Sequence, residues 1–206
     1  MSNLQNNIND VDDKIENTLD TFLDGVEKSQ KGIFNKLMAV VKEVELGPNG
    51  EIKQTVRNLR ILARVRKTIE SEILTDAYKK RVGSMTNQFN SIASLNNGYF
   101  KVIEKAFEPN RELYRQVVQN SINLTRESLL GAGVDQNIIN PVVNIVNDSV
   151  TQGAFYSDML EELQLTMLGD EERLGNLMRY SKQITIDAMN QFNATYNETI
   201  ANDLGL

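Results

Sequence analysis

Cysteine and histidine are absent from the 206 residues, and proline occurs at three positions, Pro48, Pro109 and Pro141. Without thiols there is no disulfide framework, no zinc site of the usual ligand type and no thiol nucleophile. Without imidazole there is no Ser-His or Cys-His pair and no ordinary proton shuttle near neutral pH. Catalysis would have to use carboxylates, lysine or tyrosine, so we expect a protein that is not an enzyme. Helix interiors exclude proline, and its scarcity leaves room for long helices. No apolar run approaches the roughly 20 residues that span a bilayer. The opening Met1-Ser2-Asn3-Leu4-Gln5-Asn6-Asn7 has neither a basic nor an apolar region, so no signal peptide is expected. No Gly-rich phosphate loop of either common type occurs.

Apolar residues make up 40% of the chain and charged residues 24%, close to the globular average, which argues against wholesale disorder. Apolar residues recur at helical spacing almost throughout, and no stretch alternates as a strand would. The first stripe runs through Leu4, Ile8, Val11, Ile15, Leu19, Phe22 and Val26, then Ile33, Leu37, Val40 and Val44, with a phase shift between Gly25 and Gly32. A near-heptad stripe of this length suits a coiled coil or a long bundle helix. Such a helix would be about 60 Å long, so part of it is expected to project and meet another subunit. From Ile8 to Val44 these residues are the candidate partner or oligomer surface; the alternative is that they face the rest of their own chain.

Leu46-Gly47-Pro48-Asn49-Gly50 breaks the pattern, and a second stripe from Ile52 to about Val82 implies an antiparallel hairpin. A third helix is expected from Ser84 to Phe107, closed by Glu108-Pro109-Asn110, and a fourth from Arg111 to Leu130. Asn140-Pro141 reads as a helix cap followed by proline in the first turn. Ser157 and Asp170 read as caps of the last two helices. The fold class is therefore all-α: an elongated helical bundle with a long N-terminal hairpin over 1–82, central helices over 83–150 and a helical region over 151–206 that ends in a long helix.

Charge is unevenly spread in a chain of net −6. Residues 1–30 carry seven acids and two bases, whereas 52–82 carry nine bases and three acids. Within that basic stretch Lys53, Arg57, Arg60, Arg64 and Lys67 follow one another at spacings of four, three, four and three, which on a helix makes one cationic ridge. Three readings stay open: pairing with the acidic N-terminal helix, docking on an acidic partner protein, or following nucleic-acid phosphates. No aromatics interleave with these bases, which argues against base stacking. The pairs Glu161-Glu162 and Glu171-Glu172 point about 100° apart on a helix and make poor acid/base dyads.

The last quarter reads Thr151-Gln152-Gly153-Ala154-Phe155-Tyr156-Ser157-Asp158-Met159-Leu160, then Gly169, Gly175 and Leu177-Met178-Arg179-Tyr180-Ser181-Lys182-Gln183-Ile184. It continues Asp187-Ala188-Met189-Asn190-Gln191-Phe192-Asn193 to Tyr196. This pattern resembles the Mu F-like head-morphogenesis, or minor head, proteins of tailed bacteriophages. The resemblance implies a structural virion protein, present in the phage head after assembly in the host cytoplasm. It implies association with portal or capsid protein and a role in head assembly or DNA delivery; the long apolar stripe adds self-association, and the basic ridge adds DNA as a further partner. Many members continue into a segment containing cysteine and histidine; neither residue occurs here, so no metal or other cofactor role is carried over. Neither a membrane nor a small-molecule substrate is expected. The competing reading is a non-viral helical adaptor or scaffold.

Overall fold

The computed structural model describes residues 2–109 and 111–206, with side chains from residue 8 onward. The side chain of Leu4, at the start of the expected stripe, and Asn110, at the expected close of the third helix, lie outside the described residues. Among those described, the chain is all-α. The helices are α1 (Ser2–Val41), α2 (Val56–Ile73), α3 (Asp76–Ile103), α4 (Glu112–Leu130), the short α5 (Ala132–Val134), α6 (Asn140–Gln152), α7 (Tyr156–Leu168) and α8 (Asn176–Leu204). A π-helical segment, Asp135–Ile139, joins α5 to α6. Extended pairing is limited to isolated bridges such as Leu46 with Ile52 and Gly169 with Leu174.

The packing does not follow the three consecutive stretches expected from the sequence. Residues 1–23, 80–129 and 182–206 form one compact unit, and 24–79 and 130–181 a second. Turns mark where the chain reverses, but they do not mark where a core ends when long helices supply side chains along their whole length.

The first unit is built on aromatic rings. Phe89 stacks at a tilt on Phe192 with centroids 4.8 Å apart, and Phe192 meets Tyr196 at 5.3 Å. Tyr196 contacts Tyr114, which contacts Phe107, which contacts Phe100, at 6.0, 5.9 and 6.1 Å. All six rings are buried. Their polar ends are matched: Tyr196 Oη donates to Asn97 at 3.0 Å and Tyr114 Oη to Asp203 at 2.6 Å. Deeper in the unit, buried Asn96 donates to Asn193 and the Arg126 guanidinium to buried Thr86.

The second unit has an aliphatic core from Val26, Ile33, Leu37 and Val41 of α1, Ile61, Val65, Ile69 and Ile73 of α2, and Val142, Val146 and Val150 of α6. Helix α2 packs against α6, and α6 against α7. The buried positions of α1 step through Val11, Thr18, Phe22, Val26, Gln30, Ile33, Leu37 and Val41. The seam therefore does not lapse between Gly25 and Gly32; polar Gln30 holds its place. Its Oε1 accepts the Met178 backbone N–H at 3.0 Å, which satisfies one of the donors that the start of α8 leaves without a helical partner.

Several helix ends differ from expectation. The second helix stops at Ile73, not near Val82, because Thr75 caps the next one: its Oγ1 accepts the Tyr78 N–H, and Asp76 sits in the first turn. Gly83 lies inside α3 and breaks nothing. Asn140 caps nothing, because its backbone is helical and its N–H bonds to the Asp135 carbonyl five residues back. Pro141 has no N–H to give, and its ring would crowd the carbonyl four residues earlier; the π segment opens the helix there. Asp170 caps a tight loop rather than α8. Its Oδ1 accepts the N–H groups of Glu172 and Arg173, and these bonds hold its carboxyl below the ordinary value. Helix α8 begins only at Asn176.

Candidate functional site

The turn after α1 sets the position of the basic stretch. Gly47 N–H donates to the Glu51 carbonyl at 2.8 Å, and Gly50 adopts a φ of +88°, which glycine allows. Asn58, in the first turn of α2, is fully buried and clamps this turn. Its Oδ1 accepts Glu45 N–H at 2.8 Å, and its Nδ2 donates to the carbonyls of Glu45 at 3.0 Å and Lys53 at 2.7 Å. Thr55 caps α2 by accepting the Asn58 N–H. The far edge of the turn docks on the junction of α6 and α7, where Ile52 N–H donates to the Ala154 carbonyl and Tyr156 N–H to that of Gly50.

This geometry sorts the five predicted ridge residues into three kinds. Lys53 precedes α2, in the bridged turn, so its spacing to Arg57 is not helical and it stands apart from the ridge. Arg57 and Arg64 are paired within the chain, to Glu45 at 3.1 Å and in two-pronged fashion to Glu43, with one prong at 2.7 Å. These acids follow the end of α1; they do not belong to the acidic stretch of residues 1–30 that the sequence suggested as partner. The Arg64 hydrogen bond holds the Glu43 carboxyl below its usual range. Arg60 and Lys67 are exposed and form no ion pair among the described residues. They share the outer face of α2 with Val56, 67% exposed, and Leu59, 45% exposed. Two cations beside two exposed aliphatic side chains form a mixed patch of the kind that binding surfaces use.

Arg66 lies off the ridge, and it is the residue that ties α2 to its neighbours. Its guanidinium reaches Asp135 at 3.0 Å and also Glu70 and Asn140. The π segment thus brings Asp135 and Asn140 to one cation, something no sequence spacing signals.

The structure places most of the predicted partner stripe in the chain's own core. Val11 and Phe22 are buried in the first unit, and Val26, Ile33, Leu37 and Val44 in the second. Ile15, Leu19 and Val40 are half-buried, while Ile8 is 46% exposed. From Val11 to Val41 no stretch of α1 projects free of the chain, contrary to the expectation drawn from its length. Val41, not predicted as part of the stripe, is buried ahead of Val40.

Among the described residues no group of three or more acidic side chains is arranged to hold a metal ion, and no helix is long and apolar enough to cross a membrane. No family model, no curated protein and no solved structure matches the chain.

Proposed function

We propose that the chain is a structural protein of a tailed-phage virion, a minor head or portal-vertex component. It acts in head assembly, or in DNA packaging and delivery, by binding portal, capsid or DNA. The observation that carries the contact is the outer face of α2. Arg60 and Lys67 stand there without acidic partners among the described residues, next to exposed Val56 and Leu59. A surface with this composition favours an acidic protein partner with apolar spots, since the aliphatic residues add nothing to a phosphate contact. The virion context comes from the residue pattern of the last quarter, above all Gly169, Gly175, Arg179-Tyr180 and Gln191-Phe192.

Particles assembled with wild-type chain and with an Arg60→Glu, Lys67→Glu chain test the proposal. Mass spectrometry of purified particles is expected to find the wild-type chain in few copies and the variant strongly depleted. Equal incorporation of both would remove α2 as the contact, and absence of the wild-type chain from particles would remove the virion role. If DNA is the partner, its affinity falls steeply with added salt.

A further inference from the structure

A second exposed apolar surface lies in the first unit, in a groove of about 540 Å³ between the start of α1, the end of α3 and the late turns of α8. Buried Val11 and Phe100 line it with half-buried Tyr99, and so do exposed Ile8, Ile103 and Leu206. Three large aliphatic side chains left open to water in one concavity mark a surface that a partner covers. Small-molecule pockets need convergent polar groups to orient their ligand. Here those groups are spent on each other, since Asn96 and Asn197 both donate to Asn193 Oδ1, at 2.8 and 3.2 Å. Among the described residues the lining holds two charged side chains, Asp12 and Glu198, and no base. Both acids are exposed, and neither forms an ion pair among the described residues.

The complement of such a groove is an amphipathic helix that carries cations beside its apolar side chains. The chain presents one. On the outer face of α2, Val56, Leu59, Arg60, Ala63 and Lys67 are all exposed. They follow at i, i+3, i+4, i+7 and i+11, the spacing of a helix anchored in a groove. Small Ala63 stands between two cations about 10 Å apart along the axis, so the helix can approach closely. We propose that the α2 face of one copy docks in the α1–α3–α8 groove of a second copy. Val56 and Leu59 cover its apolar lining, and Arg60 and Lys67 face Asp12 and Glu198. This names a partner for the α2 face and rests on the reading of that face as a contact surface. It also gives a role to Ile8, the member of the predicted stripe that the chain leaves exposed. The contact joins two unlike surfaces, and every copy offers one of each.

Sedimentation equilibrium of the full chain at low salt tests it. The wild-type chain is expected to gain mean mass as its concentration rises to about 100 μM, the range of weak contacts, and to lose it as salt is added. Arg60→Glu with Lys67→Glu gives a copy whose two faces are both acidic. Asp12→Lys with Glu198→Lys gives one whose two faces are both basic. Each variant alone should keep the wild-type melting curve and associate at least about tenfold more weakly. An equimolar mixture of the two should regain association, because each face again meets its opposite. A wild-type chain that stays monomeric, undiminished association of either variant alone, or a mixture of folded variants that stays monomeric would each overturn the proposal. Failure here is separable from failure of the virion contact. A monomeric wild type whose α2 variant is still depleted from particles strikes only the second copy as partner. Association in solution with equal incorporation of both chains into particles strikes only the particle contact.

Discussion

Asn58 contributes through three hydrogen bonds that no apolar residue can make, all within the turn that joins α1 to α2. Replacing it with Leu strands the Glu45 N–H, while the Glu45 and Lys53 carbonyls keep the Lys53 and Thr55 N–H groups as donors, and is expected to lower stability by about 1–3 kcal/mol in urea unfolding. Gly169 and Gly175 have a steric reason to be glycine. A Cβ on Gly175 would overlap the Met167 carbonyl, and one on Gly169 the Arg173 carbonyl, with φ of +80° as a further obstacle. Gly175→Ala should therefore cost at least about 2 kcal/mol, read from the same unfolding curves. Tyr114 provides the pH test. Burial first, and then its bond to Asp203, push its phenol up to about 12. A phenol raised in the folded state favours folding below its unfolded value and loses that contribution as pH rises through the folded one. Stability should thus fall between about pH 10 and 12, and Tyr114→Phe should show a shallower loss in that window. Glycines and turn residues of this kind were legible as chain breaks. The roles of Asn58 and Gln30 were not, because a polar residue at a seam position interrupts an apolar pattern whether it is buried or exposed.

At the scale of elements, apolar periodicity located the long helices, and their ends were decided by chemistry that periodicity does not weigh. Thr75-Asp76 starts α3 well before Ser84, where the sequence pattern predicts the third helix to begin. Pro141, expected to open a helix, instead sits just past a π segment within a helical run from Ala132. The cationic ridge was legible as a spacing, but which of its members stay unpaired depended on where the turn after α1 placed Glu43 and Glu45. The paired and unpaired members should respond differently. Arg64→Glu sets two negative charges against each other at Glu43 and should lower the melting midpoint measurably. Arg60→Glu with Lys67→Glu should leave the midpoint nearly unchanged while removing partner binding.

For the whole molecule, the long stripe of α1 raised the question of whether its apolar residues serve the chain itself or a second copy. Leu37 is fully buried in the second unit and Phe22 almost so in the first. Leu37→Ala should lower the stability of the single chain by about 2–5 kcal/mol, seen as a lower urea midpoint that does not depend on protein concentration. A discontinuous unit could not be read from order along the chain, since residues 1–23 and 182–206 share one core. The central claim, that this chain works by contact with a particle component through α2, is tested most directly by cryo-electron microscopy of the assembled head. Density for the chain at the portal vertex or inner capsid wall, with Arg60 and Lys67 against a neighbouring subunit, is the predicted result. Density in which the outer face of α2 is bare, or particles that contain no such chain, would contradict it.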